Sequence, residues 1–410
     1  MTDYASFAAG LTAGGVISDP WVEGQPRFRQ EPVVLPAAGQ SVLYRVAEEM
    51  AAAWNEACLL CARDPGLVTA FLGLTPVQQA LWCASAPEWH GIARADVFFT
   101  DDGPAVCELN CDTPTGEAEA VLLNRAVAGE HPQLTDPNRS LGDRFCAMVA
   151  AVAGAPRPLS IGLIYPTEIP EDLSMVLLYR RWLEARGFRV TLGSPFNLRR
   201  FSGNRAGLFD VPCDVFLRHY KTDWWTERVP AWADEPDVPD PSPLTAQLAT
   251  IVGAELAGTC AVVNPFGAVV AQNKRTMALM WEQIDLFSAP SRAAIRGYLP
   301  ETRRLETLPH ERLLAERQEW VLKSDYGCEG DEVVIGADTP EEEWRAALEL
   351  AVPGRWVAQR RFRALLEPDG VTSVNHGVFL VAGQASGLYA RLSAGGTDRH
   401  ALSAPVLIAS

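Results

Sequence analysis

The chain has 410 residues, 48% of them hydrophobic and 21% charged, which excludes disordered, collagen-like and coiled-coil classes. Thirty-five basic against 51 acidic side chains give a formal net charge of −16. That field disfavours nucleic acid and anionic membrane as partners and tolerates cationic ones. At roughly 150 residues per domain the length points to two or three domains.

The opening Met1-Thr2-Asp3-Tyr4 has no basic and apolar secretion signal, and no apolar run reaches the length of a membrane helix. Nine cysteines scattered from Cys58 to Cys328 form no disulfide framework, so a cytoplasmic location is expected. Cys58-Leu59-Leu60-Cys61 lies in an Ala/Leu-rich helical pattern with no second pair, and reads as two small hydrophobes rather than a zinc or redox motif.

Residues 40–82 read as helices broken at Asp64-Pro65-Gly66 and Thr75-Pro76. Residues 96–110 read as two strands around Asp101-Asp102-Gly103, and Thr113 with Pro114 then predicts a helix start ahead of Glu117 and Glu119. From Pro156 onward, an apolar run over 161–165, a helical pattern through Leu173, Val176, Leu177 and Leu183, and runs at 188–190 and 214–218 predict a small parallel-sheet lobe. The proline-rich, acidic stretch 230–243 reads as a linker. Beyond it come a helix through Leu248 and Ile251 and strands at 319–323, 356–361, 377–381 and 387–392. The expected units are 1–153, 154–243 and 244–410.

The most informative cluster is Arg94, Asp96, Glu108 and Asn110. Alternate residues of a strand share a face, and a three-residue loop of Asp101, Asp102 and Gly103 sets Asp96 opposite Glu108 and Arg94 opposite Asn110. Two opposed carboxylates repel unless a cation lies between them, and two acids with an amide oxygen suit Mg²⁺. A solvated face on which Arg94 neutralises Asp96 fits the same spacing. Lys323 leaves a strand beside the loop Gly327-Cys328-Glu329-Gly330, a workable phosphate cradle. Lys274 opens a helical pattern and on its own reads as a surface lysine. Arg391 lies on a strand where an exposed ion pair is the simple alternative, and Gln359 lies on a hydrophobic strand leading outward.

Together these pieces resemble the synthetase region of the glutathionylspermidine synthase family, a circularly permuted branch of the ATP-grasp superfamily. The stretches that carry the resemblance are Arg94-Ala95-Asp96, the run Cys107 to Thr115, Gln272-Asn273-Lys274, Val321-Leu322-Lys323 with Gly327 to Gly330, the Gln359 strand and Gly387 to Arg391. They span roughly residues 90 to 395 in the permuted order, with Glu-x-Asn ahead of the nucleotide lysines.

The resemblance implies an α+β (mixed α/β) chain with a permuted ATP-grasp fold and a small preATP-grasp-like lobe. It implies ATP and Mg²⁺ as cofactors. Asp96, Glu108 and Asn110 are the implied metal ligands. Lys274, Lys323, Gly327, Glu329, Gly330 and Gln359 are the implied nucleotide contacts, and Arg94 and Arg391 the catalytic arginines. The implied reaction is ATP-dependent amide formation through an acyl phosphate, with a small-molecule carboxylate and amine as partners, a peptide or polyamine among them. After Arg391 comes Leu392-Ser393-Ala394 where the nearest relatives are expected to carry an acid, so the family's own substrates are not carried over. Three rivals share the residues: an ATP-grasp phosphotransferase, a non-catalytic nucleotide-binding or scaffold protein, and a metal hydrolase working without nucleotide.

Overall fold

The computed structural model describes residues 3–154, 159–167, 172–235, 241–327, 332–395 and 400–410. Among the elements that build the site, α1 (Ala37–Arg63) buries Leu43, Val46, Met50, Trp54 and Ala57, one stripe at helical spacing. Cys58 and Cys61 lie on the same buried stripe, and burial pushes the Cys61 thiol up to about 12, as suits two inert core side chains. The next helix, Pro76–Ser85, starts at the expected Thr75-Pro76 with a capping box between Thr75 and Gln78.

The hairpin follows as β1 (Ile92–Thr100) and β2 (Gly103–Asn110), and then α2 (Glu117–Val127). The parallel lobe consists of β3 (Ser160–Ile164), α3 (Leu173–Glu184), β4 (Arg189–Gly193), β5 (Val215–Arg218), α4 (Thr245–Leu256) and β6 (Ala261–Val263). After α5 (Arg275–Glu282) come β7 (Thr302–Arg304), β8 (Trp320–Ser324), β9 (Val333–Ile335) and β10 (Trp356–Arg360). The chain ends through β11 (Ser373–Val381), β12 (Gln384–Ser393) and β13 (Leu402–Ala404), before a last strand, Val406–Ala409.

Three sheets frame the site. The central one is antiparallel in the order β13-β12-β11-β1-β2, so the N-terminal hairpin and the C-terminal strands share one sheet. The second is parallel, β6-β5-β3-β4, and it takes its edge strand from beyond residue 243, the expected end of that lobe. The third is antiparallel, β7-β10-β8-β9. Pairing across the whole chain length makes the lobes discontinuous in sequence.

The proline-rich stretch forms no helix or strand among the described residues, yet it does more than link. Ala233 donates its backbone N–H to Leu350 (2.7 Å), the Trp356 indole donates to the Ala231 carbonyl (2.7 Å), and the Trp232 and Trp356 rings lie 4.1 Å apart. The strap thereby fastens the parallel lobe to the third sheet.

A buried ion pair ties the parallel lobe to the central sheet. Arg218, at the end of β5, reaches Asp112 just beyond β2 at 2.5 Å, and Thr222 adds two hydrogen bonds to the same carboxylate, both 2.6 Å. Burial alone would raise the Asp112 carboxyl, but Arg218 and Thr222 hold it below its ordinary value. Asp112→Asn leaves the guanidinium buried beside a neutral amide. Its expected cost is about 3–5 kcal/mol, read by urea denaturation. A loss under about 1 kcal/mol would show that the lobes do not depend on this pair.

Candidate active site

The hairpin register is the expected one: Arg94 pairs with Asn110 and Asp96 with Glu108. The route to it differs. Thr100 pairs with Gly103, leaving a two-residue turn of Asp101 and Asp102, and the extra residue appears as a bulge at Cys107 between the Val97–Val106 and Asp96–Glu108 pairs. A bulge takes one residue out of the ladder. Here the Cys107 carbonyl accepts a hydrogen bond from Lys323 Nζ at 3.2 Å.

Arg94 and Asp96 are both buried. Arg94 forks onto Asp96 through Nε (2.7 Å) and Nη2 (3.0 Å), and Nη1 donates to the Thr115 carbonyl (2.7 Å). Burial disfavours the charged guanidinium, but the Asp96 contacts outweigh it and raise the Arg94 pKa. Its stem crosses β11 at Gly377, the residue paired with Asp96, where a Cβ would lie 2.8 Å from Arg94 Cδ.

Thr115 is held in this way as part of a loop, so α2 does not start at Thr113 as its sequence predicts. The N-cap is Gly116, at φ +101°, with a Cβ position 2.7 Å from the Tyr389 ring. Glu117 and Glu119 do occupy the first turn.

Lys274 is buried, not a surface lysine. Its Nζ lies 3.5 Å from Glu108 Oε2 and donates to the Gly327 carbonyl at 2.6 Å. Burial would raise the Glu108 carboxyl. Lys274, Lys323, a hydrogen bond from Asn110 Nδ2 (3.2 Å) and Arg94 together hold it at about 2. Lys323 and Gly327 stand at the two ends of one turn, where the Gly327 N–H donates to Ser324 Oγ at 2.9 Å. Glu329 and Gly330 lie outside the described residues.

Gln359 stands apart from this group. The outward strand edge expected there is absent, since β10 lies between β7 and β8, and the Gln359 amide donates to Thr302 Oγ1 at 3.0 Å. Its other neighbour, Met277, lines a narrow pocket with Trp54, Glu108, Gln272 and Lys274, so Gln359 sits one side chain behind that pocket. Arg391 is half-buried on β12, directly across from Asn375 of β11.

Asn375 was not singled out from the sequence. It donates to Asp96 Oδ2 at 3.3 Å, while its buried Oδ1 has no hydrogen-bond partner. The expected strand began at Gly377, two residues too late to include it. A polar residue extending the alternation toward Arg391 was the available signal.

Among the described residues no three or more His, Cys, Asp and Glu side chains cluster as a ready metal cage. The donor set is instead two carboxylates and two side-chain amides, one with an oxygen left over. That set fits Mg²⁺, a hard cation that keeps waters and phosphate oxygens in its shell.

A second cleft lies at the carboxyl ends of β3 and β5, where open parallel sheets bind ligands, with Thr113, Pro114, Phe145, Tyr179, Arg218 and His219 in its walls. It opens beside the loop that holds Arg94.

Residues 72–408 match the family model described as glutathionylspermidine synthase preATP-grasp. The chain belongs to that family. No curated sequence matches it. Among solved structures, a glutathione synthetase-like effector from Globodera pallida is similar at 12% identity and a TM-score of 0.60, covering 98% of this chain and 95% of the other. A putative gamma-glutamylcysteine synthetase from Methylobacillus flagellatus KT aligns at 13% identity and a TM-score of 0.48 over 92% and 87%. D-alanyl-alanine synthetase A from Vibrio cholerae O1 biovar eltor aligns at 10% and 0.34 over 59% and 69%. The Globodera likeness is one of fold. This member of the glutathionylspermidine synthase family has a mixed α/β, ATP-grasp-like architecture, with the acid hairpin ahead of the lysines in the permuted order.

In this family member Gly377 is a steric requirement of the site. Gly377→Ala forces the Arg94 stem off its path, with an expected cost of about 1–3 kcal/mol by chemical denaturation. Wild-type stability in that variant would place Arg94 elsewhere.

Proposed function

We propose that the chain is an ATP- and Mg²⁺-dependent carboxylate–amine ligase that makes an amide bond through an acyl phosphate. The observation that carries this reading is the convergence of Arg94, Lys274 and Lys323, from three separate chain segments, on two opposed acids. A hydrolase needs no such set of buried cations, and the family membership argues for an ATP-consuming ligase at the general level.

A carboxylate is a poor electrophile, so its oxygen must first accept the γ-phosphoryl group of ATP. Lys274 and Lys323 would grip phosphate oxygens as point charges. Asp96, Glu108 and Asn110 would hold Mg²⁺, with Asn375 Oδ1 a further oxygen within reach of the same face. Bound there, the ion would supply charge to neutralise phosphate oxygens during transfer. Arg94 and Arg391 would hold the transferred phosphoryl group and the acyl oxygen. An amine then displaces phosphate. This is positioning and electrostatics, with little covalent chemistry asked of the protein. The partners are small molecules, one acid and one amine.

The test is an ADP-release screen against pooled acids and amines, followed by mass spectrometry of any condensed product. ADP release that requires Mg²⁺, an acid and an amine supports the ligase. A stable phosphorylated product would indicate a phosphotransferase instead. Lys323→Ala and Glu108→Gln are expected to lower turnover at least about a thousandfold (about 4 kcal/mol of barrier) while circular dichroism stays native. Wild-type turnover in either variant would remove the site assignment.

A further inference from the structure

The reaction leaves one requirement unmet by the groups named so far. A primary amine is an ammonium ion at neutral pH and cannot attack an acyl phosphate until it loses a proton. Lys274, Lys323, Arg94 and Arg391 are cations, and Asp96 and Glu108 are committed to them and to a metal, so none is a suitable acceptor.

Beside the second cleft lies a pair that the mechanism does not use. Tyr179 of α3 forms part of the cleft wall, with its ring stacked on Phe145 at a centroid distance of 4.2 Å. Its hydroxyl donates to Glu117 Oε1 at 2.8 Å. Glu117 is fully buried in the first turn of α2, two residues beyond the Thr115 carbonyl that holds Arg94, and its Oε2 has no hydrogen-bond partner. In either protonation state one oxygen of this carboxyl is left unsatisfied at a cost of about 1–3 kcal/mol, which a purely structural residue has no reason to bear.

The other ionisable groups named around the cleft have partners among the described residues. Arg218 is paired with Asp112 at 2.5 Å, Arg94 with Asp96 at 2.7 Å, and His219 with Asp172 at 3.2 Å. Arg181, on the same helix as Tyr179, turns away to the Gly14 carbonyl, and Glu119 is held by Arg27 at 3.4 Å. Tyr389, on the strand beside Gly116, hydrogen bonds to Ser403. Among the described residues Glu117 has no ion-pair partner. A cation entering the cleft lies against its aromatic wall and within the field of this acid.

We propose that the second cleft receives the primary ammonium group of the amine substrate and that Glu117, acting through Tyr179, takes up its proton. The ammonium N–H proton passes to Tyr179 Oη as the tyrosine proton passes to Glu117 Oε1, so Tyr179 is neutral before and after. The freed nitrogen lone pair forms the C–N bond, the acyl C–O bond to phosphate breaks, and the second N–H proton leaves with the phosphate. Burial pushes Glu117 up to about 7, the range a base needs to collect a proton at neutral pH and give it back. Burial also keeps the Tyr179 hydroxyl protonated, as a relay requires. The catalytic role rests on the ligase reading; the ammonium site does not.

The test uses the full chain and n-butylammonium chloride as probe, with tetramethylammonium chloride and n-butanol as controls, in isothermal calorimetry from pH 6 to pH 8.5. Ionised Glu117 is the binding form, so affinity rises as pH passes through about 7. Below that, binding releases close to one proton, read by comparing buffers of different ionisation enthalpy. Glu117→Gln, which keeps an acceptor for Tyr179, is expected to weaken binding at least tenfold and to abolish proton release. Tyr179→Phe also weakens binding while the fold is retained. Equal binding in wild type and Glu117→Gln, or an equal response to tetramethylammonium, overturns the proposal. Stabilisation by MgATP is measured on the same proteins: its absence in wild type would count against the ligase reading and leave the ammonium result intact.

Discussion

Two carboxylates placed directly across a hairpin, with one of them buried, set the terms for the rest of this structure. Asp96 and Glu108 are cross-strand partners, and such partners have Cβ atoms about 5 Å apart. At an effective dielectric near 20 their repulsion is about 3 kcal/mol, a large fraction of what holds a domain together. The hairpin supplies one remedy itself in Arg94. The others come from the start of α5 as Lys274 and from β8 as Lys323. The hairpin is thus electrostatically complete only when distant parts of the chain have assembled around it, which couples folding to formation of the site.

The residues just after Glu108 make that assembly specific. The Gln272 Oε1 accepts the backbone N–H groups of Cys111 (2.8 Å) and Asp112 (3.0 Å), so the segment that delivers Lys274 is docked on the run that carries Glu108. The Asn264 side chain donates to the Ile92 and Cys111 carbonyls and accepts from the Gly91 and Ile92 N–H groups, fastening the end of β6 to the start of β1. Within eight residues the chain alternates between site and scaffold: Glu108 and Asn110 face the cations, Cys111 enters the core, Asp112 clamps Arg218, and Thr115 orients Arg94. The dense Glu-x-Asn-x-Asp-Thr-Pro signature reflects this double duty.

The facing of Arg94, Asp96, Glu108 and Asn110 was legible because a strand has a period of two, which fixes faces once the residue count is known. The bulge was not, since an extra residue in the turn and an extra residue at Cys107 give the same register farther along. The Thr100–Gly103 pair and the lysine contact to the Cys107 carbonyl distinguish them. Thr113 is a sound N-cap by type, but tertiary contacts to Thr115 and Tyr389 displaced the helix start to Gly116. Gln359 was read on a correct strand, yet sequence does not reveal which strands flank it. Glu117 looked like an ordinary acid complementing a helix dipole. Its burial and its tyrosine partner come from α3, 62 residues away, and no local pattern records them.

The net charge of −16 belongs to the outer surface and reverses inside. On the central face, Arg94, Lys274 and Lys323 carry three positive charges against two from Asp96 and Glu108. Around the second cleft Arg218 pairs with Asp112 and His219 lies against Asp172, while among the described residues Glu117 has no ion-pair partner. With a Debye length of about 8 Å at physiological salt, each region answers to its own charges rather than to the chain's total. Arg94 sits between the two, forked to Asp96 on one side and tied to the loop before Glu117 on the other. One guanidinium therefore ties the acid hairpin to the loop that borders the second cleft, so a shift of either region bears on the other.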